Sequence, residues 1–127
     1  KAFGVKSDVY AADFNWDLVL DLVGNTNIKY KEVSKFPEVR RDLSLLVDKS
    51  VSFDELNKIA QQADNKILKS VNLFDVYEGD KLPAGKKSYA LSFTMADESK
   101  TLTDKYVDKV MDKLMKSFTD KAGAEIR

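Results

Sequence analysis

From Phe36 onward the spacing of apolar residues changes period repeatedly, and the order of those changes admits few folds. Leu43, Leu45 and Val47 alternate as in a half-buried strand. Ser52 with Glu55 three residues later is a capping box, so a helix is expected from Phe53 to Ala63 with a buried stripe of Leu56, Ile59, Ala60 and Ala63. Strand patterns follow at about Ile67 to Tyr77 and Lys87 to Met95, and the loop between them carries Gly79, Pro83 and Gly85. Thr103 is placed to cap a last helix, in which Val107, Val110, Met111, Leu114, Met115 and Phe118 recur at three-and-four spacing. Gly123 is placed to end it before a short strand, Ala124 to Arg127. The order strand, helix, strand, strand, helix, strand predicts an α+β, ferredoxin-like βαββαβ sandwich. In it both helices cover one face of a four-stranded antiparallel sheet. The second face has no helices of its own and must be wet, docked on a neighbour or used for binding.

Residues 1–35 follow a different plan. Val9, Tyr10, Ala11, Ala12 and Phe14 have strand composition, Asn15 is placed to cap a helix through Trp16, Leu18, Val19, Leu22 and Val23 ending at Gly24, and Asn25-Thr26-Asn27 reads as a loop. One strand and one helix cannot enclose a core. The segment is therefore expected to be the tail of a preceding domain and a linker, and the opening at Lys1 without an initiating Met fits a piece of a longer polypeptide.

Composition narrows the chemistry. With no Cys and no His, thiol nucleophiles, disulfides, the usual general base and the commonest transition-metal ligands are all missing. A cytoplasmic location is the expectation, and no apolar run approaches the roughly 18–20 residues of a membrane span. Lys and Arg balance Asp and Glu at 21 each, and from Phe36 to Arg127 at 16 each. No overall field gathers phosphates, so any nucleic-acid contact must be local.

The third strand fixes the phase of the sheet. Tyr89, Leu91, Phe93 and Met95 share one face and should look toward the helices, leaving Ser88, Ala90, Ser92 and Thr94 on the other. If Tyr77 pairs with Ser88, then Val76 faces Tyr89 and Phe74 faces Leu91, apolar against apolar. The same register gathers Asp75, Tyr77 and Ser88 on the helix-free face beside the loop. An aromatic plate stacks a base, a carboxylate accepts base amino or imino protons, and a hydroxyl does both. Equally, a solvent-facing Tyr is good strand composition and Asp and Ser are ordinary turn-edge residues. Val71 and Leu73 have the phase of Asp75, which requires either a bulge or a cover over that stretch.

Residues from about Phe36 to Arg127 resemble the ferredoxin-fold anticodon-binding domain at the C-terminus of the β subunit of bacterial phenylalanyl-tRNA synthetases. The matching stretches are Phe36-Pro37 with Arg41-Asp42-Leu43-Ser44-Leu45, Phe74-Asp75-Val76-Tyr77-Glu78-Gly79, Leu82-Pro83 with Gly85-Lys86-Lys87-Ser88, Thr101-Leu102-Thr103-Asp104, and Ile126-Arg127. Lys100 stands where the family often has Arg before Thr-Leu. Residues 3–22 look like the end of the catalytic-like core domain that precedes the module. The resemblance implies a noncatalytic tRNA-binding module that meets the anticodon of tRNA(Phe). It implies that Tyr77 stacks on an anticodon base while Asp75 and Ser88 contact base edges. It also implies a parent ligase using ATP and magnesium, with catalysis in the partner α subunit of an α2β2 heterotetramer and no cofactor in this segment.

Lys86, Lys87 and Arg40 are possible phosphate contacts, although a lysine pair at a hairpin is often a solvated edge protector. Arg41-Asp42 is expected to be a structural ion pair or cap, with RNA-facing use of Arg40 or Arg41 as the alternative. The Asp-Lys repeats at 104–105, 108–109 and 112–113 alternate charge along a solvated helix face. Paired carboxylates such as Glu38 with Asp42, or Asp97 with Glu98, have no context that makes them an active site, and Gly79 and Gly85 do not form a phosphate loop before a helix. Two rival functions stay open: a ligand-sensing module, which would need a Gly-rich or polar first strand-to-helix loop that Asp48-Lys49-Ser50-Val51 does not supply, and a protein-docking module, favoured by Val71 and Leu73 on the open face.

Overall fold

The alternation in Leu43, Leu45 and Val47 belongs to a ten-residue strand β1, Val39–Asp48, at the centre of the fold. The structure is a computed structural model and describes residues 4–24, 29–30, 32 and 34–127. The chain divides into two units, Lys1–Glu32 and Val33–Arg127.

In the first unit a short helix, α1, spans Trp16–Val23, and the Asn15 side chain accepts a hydrogen bond from the Leu18 amide at 3.1 Å. Asn15 thus caps the helix as its sequence predicts. None of its residues is buried. Residues 9–14, expected as a strand, are irregular. Strand composition needs a partner to become a strand, and the described residues offer none for that stretch. The expected loop at 25–27 lies outside the described residues.

The second unit carries β1, helix α2 (Phe53–Ala63), β2 (Leu68–Tyr77), β3 (Lys86–Met95), helix α3 (Asp104–Ala122) and β4 (Glu125–Ile126). Ser52 Oγ accepts from the Glu55 amide at 3.2 Å and so starts α2. Thr103 precedes α3 without a side-chain capping bond, its carbonyl instead accepting from the Tyr106 and Val107 amides. Gly123 ends α3 at φ +58°, a left-handed cap that any side chain would strain. The sheet order is β2-β3-β1-β4 with every pairing antiparallel, the ferredoxin-like topology.

The core lies between the helices and one sheet face. Leu45, Leu91, Phe93 and Met95 meet Leu56, Val107, Leu114 and Phe118, all fully buried. Phe93 and Phe118 stack with tilted rings 6.0 Å apart. Tyr89 also faces this side, its hydroxyl donating to the Val51 carbonyl at 3.3 Å.

Candidate functional site

The helix-free face is built from alternate residues of three strands. Tyr77 pairs with Ser88, Val76 with Tyr89 and Asp75 with Ala90. Directly paired residues point to the same side. Because Tyr89 points into the core, Asp75, Tyr77 and Ser88 point away from it, beside the β2–β3 loop. On β1 the residues of the same phase are Arg40, Asp42, Ser44 and Leu46, opposite Thr94, Ser92, Ala90 and Ser88.

Asp75 is exposed and Tyr77 is 43% exposed, whereas Ser88 is only 9% exposed. Ser88 sits on the inner strand β3, between Tyr77 and Leu46 in the register. Its hydroxyl oxygen lies 3.2 Å from that of Ser44. In one orientation Ser44 donates and the Ser88 proton is free for a ligand; in the other Ser88 donates and offers lone pairs. The pair therefore presents either a donor or an acceptor at the foot of the tyrosine. Ser44 is not among the candidates the sequence offers, and its signals are a polar residue on the off-phase of the Leu43-Leu45-Val47 alternation and a place in the Arg41-to-Leu45 stretch that matches the family.

Tyr77 is held from the loop side. A β-carbon added to Gly79 would overlap the Tyr77 hydroxyl and come within 2.6 Å of Cζ, so the ring lies against the glycine backbone. The loop turns at Gly85, at φ +80°, and frames an open cavity of about 500 Å³ lined in part by Gly79, Lys49 and Glu78. Lys49 and Glu78 are an ion pair at 3.4 Å.

The register breaks one residue behind the site. Leu73 pairs with Leu91 and Asp75 with Ala90, leaving Phe74 as the extra residue of a β-bulge. The expected opposition of Phe74 to Leu91 is corrected: Leu73 takes that place. The bulge returns Val71 and Leu73 to the helix side, where both are partly buried against the core. The open face thus loses the two apolar residues that favoured docking. Phe74 is 54% exposed, and the Arg40 guanidinium lies over its ring at 5.9 Å from the centroid. Since Arg40 has the open-face phase, its cation reaches across β3 and marks Phe74 as a member of that face.

The basic residues divide. Arg40 is exposed and paired with Asp42 at 3.1 Å. Arg41 turns to the other side and bonds Asp104 of α3 at 3.2 Å. The expected Arg41–Asp42 pair therefore does not form, because consecutive strand residues face opposite ways. Lys86 has the phase of Ser88 and pairs with Asp48 at 3.5 Å. Lys87 has the opposite phase. It is 8% exposed, with its ammonium 4.7 Å from the Tyr89 ring centroid, and the structure does not bring it to the face of the other candidates. Its methylene stem packs along apolar surface while the cation rests on an aromatic ring.

Residues 34–127 match the family model of the ferredoxin-fold anticodon binding domain. The chain belongs to this family. Its second unit is an anticodon-binding module, and curated relatives resemble the whole chain, first unit included. The chain is 55% identical over 127 residues to a phenylalanine–tRNA ligase beta subunit of Bacteroides fragilis, covering 100% of the chain and 16% of that relative. It is 53% identical to that of Bacteroides thetaiotaomicron over the same shares. It is 42% identical over 125 residues to that of Clostridium acetobutylicum, covering 98% of the chain and 16% of the relative. The chain thus spans 16% of the length of these relatives. Among the described residues no helix is long and apolar enough to cross a membrane.

Proposed function

We propose that this chain is the anticodon-reading segment of a phenylalanine–tRNA ligase β subunit and that Asp75, Tyr77 and Ser88 form its reading site for tRNA(Phe). Tyr77 stacks an unpaired anticodon base, an interaction worth roughly 1–3 kcal/mol. Asp75 accepts from the base edge, and Ser88, with Ser44 behind it, donates or accepts. A wrong base leaves these groups unpaired at a cost of about 1–3 kcal/mol for each contact, which is how such a site discriminates without chemistry. Arg40 and Lys86 contribute local phosphate contacts. The observation that carries this reading is the shared helix-free face of a half-exposed tyrosine, a carboxylate and a hydroxyl at one hairpin.

We infer the rest of the assembly from the resemblance to such ligases. The module acts in a cytoplasmic ligase whose β subunit pairs with a catalytic α subunit in an α2β2 heterotetramer. In this reading ATP and magnesium serve amino-acid activation elsewhere in the ligase, and recognition by Asp75, Tyr77 and Ser88 does not pass through them. Residues 1–35 are the tail of the preceding core domain and its linker. The exposed apolar residues of α1, Trp16, Leu18, Leu20 and Leu22, support that reading, since an isolated helix of eight residues is marginal in water without packing on a neighbour.

The test is Tyr77→Ala in the complete ligase. The KM for tRNA(Phe) is expected to rise about tenfold, as loss of one stacked base implies, with phenylalanine activation by ATP unchanged. Unaltered tRNA kinetics would refute the stacking role.

A further inference from the structure

We propose that Phe74 is a second nucleotide plate on the open face, stacking the unpaired base next to the one held by Tyr77. The inference rests on the anticodon reading of Tyr77 and extends it to a second base. The first support is the bulge. In an unbroken register Phe74 would have faced Leu91 in the core, and instead the extra residue turns a large aromatic ring outward, to 54% exposure. Bulges recur where a side chain is re-aimed at a functional site. The second support is the setting of the ring. Arg40 holds a cation over it at 5.9 Å, and Asp42 fixes that cation at 3.1 Å. A ring beside a tethered guanidinium is a surface on which a base stacks and a phosphate finds its charge.

The third support is spacing. Phe74 and Tyr77 are three residues apart on one strand, roughly 7–10 Å along it, since the bulged residue adds less than a full strand rise. Open-sheet modules that read single strands stack two or three bases on aromatic side chains of the sheet. A protein partner fits the face less well. Around Phe74 the residues of this phase are Ser70, Asn72, Thr94, Asp42 and Asp75, too polar and too charged for an apolar docking patch.

The experiment measures equilibrium binding of tRNA(Phe) transcripts to the complete ligase carrying Phe74→Ala, Phe74→Leu, Phe74→Tyr or Tyr77→Ala. Each transcript is also made abasic at one anticodon-loop position at a time. Phe74→Ala and Phe74→Leu are expected to weaken binding about five- to tenfold, and Phe74→Tyr to bind as wild type. The loss should vanish on a transcript abasic at one position, adjacent to the position that cancels the Tyr77→Ala loss. Wild-type binding by both Phe74→Ala and Phe74→Leu alongside a Tyr77→Ala loss would overturn the second plate and leave the anticodon reading standing. A Phe74 loss that no abasic position cancels also overturns it. If neither Phe74→Ala nor Tyr77→Ala weakens binding, both readings fall. Should Phe74→Ala lower the melting temperature, Phe74→Leu, which keeps apolar volume without a ring, decides the matter.

Discussion

The two faces of the sheet are made by the same three long strands, residue by alternate residue, and they obey different rules. On the helix side Leu45, Leu91, Phe93 and Met95 are fully buried. On the other, the partners in the same ladders are Ser44, Ala90, Ser88, Asp75 and Tyr77. One face is filled by apolar volume, and the other carries the hydroxyl, carboxylate and aromatic groups to which the proposed reading gives hydrogen bonding and stacking. Stability and recognition are therefore separable by parity, and adjacent residues in one strand should give opposite phenotypes.

The largest effect belongs to the helix side. Phe93→Ala empties a fully buried site packed on Phe118 and is expected to destabilise the fold by about 3–5 kcal/mol, as such truncations do. Denaturant unfolding checks it, with a lowered midpoint expected. If the midpoint held and only tRNA binding fell, the division between the faces would be wrong.

A middle-sized effect comes from Gly79, which touches no ligand in this reading. A methyl group there displaces the Tyr77 ring, and because the displaced atoms are the far end of a side chain the fold itself should tolerate it. Gly79→Ala in the complete ligase is expected to weaken tRNA(Phe) binding about three- to tenfold, most of the stacking contribution, with the unfolding midpoint unchanged. The diagnostic is non-additivity: combined with Tyr77→Ala, Gly79→Ala should add almost nothing. Full additivity would show that the glycine acts by another route.

Much of this division was legible in the sequence, and its gaps have physical causes. The period of the apolar residues placed β1, α2, β3 and α3, and the parity of β3 put Asp75, Tyr77 and Ser88 on one side. The phase of Val71 and Leu73 calls for a bulge or a cover, and the ladder shows the bulge; that Phe74 is its extra residue stays hidden in the sequence because Leu73 and Phe74 are both apolar, so either satisfies the pattern. The burial of Lys87 is not legible because a charged residue reads as surface, whereas a long stem can be buried with its cation on the Tyr89 ring. The Arg41–Asp104 pair spans 63 positions and has no local signature. The strand expected at 9–14 shows the limit from the other side: composition permits a strand, but pairing makes one.

A smaller effect is expected at Ser88. Ser88→Ala removes the proposed base contact and leaves the Ser44 hydroxyl without its partner, a loss of about 0.5–1.5 kcal/mol for a neutral hydrogen bond. Its signature is selectivity more than affinity. The variant should narrow the gap between tRNA(Phe) and a transcript with a changed anticodon base, measured as the ratio of kcat/KM values. An unchanged ratio would remove Ser88 from the reading site.

The finest test is the pair Lys86 and Lys87, neighbours in sequence that the pleat sends to opposite sides. Lys86 shares the phase of Ser88 and is tied to Asp48 only by a partly exposed ion pair, an interaction of little strength that an RNA phosphate can replace. Lys86→Met is expected to reduce the slope of log binding constant against log salt concentration by at most about one counterion's worth. Lys87→Met should leave that slope untouched, because its ammonium rests on the core side over Tyr89. Both variants keep a flexible apolar stem, so packing is nearly conserved and charge alone is removed. A salt slope that responded to Lys87 and not to Lys86 would mean that RNA approaches from the helix side.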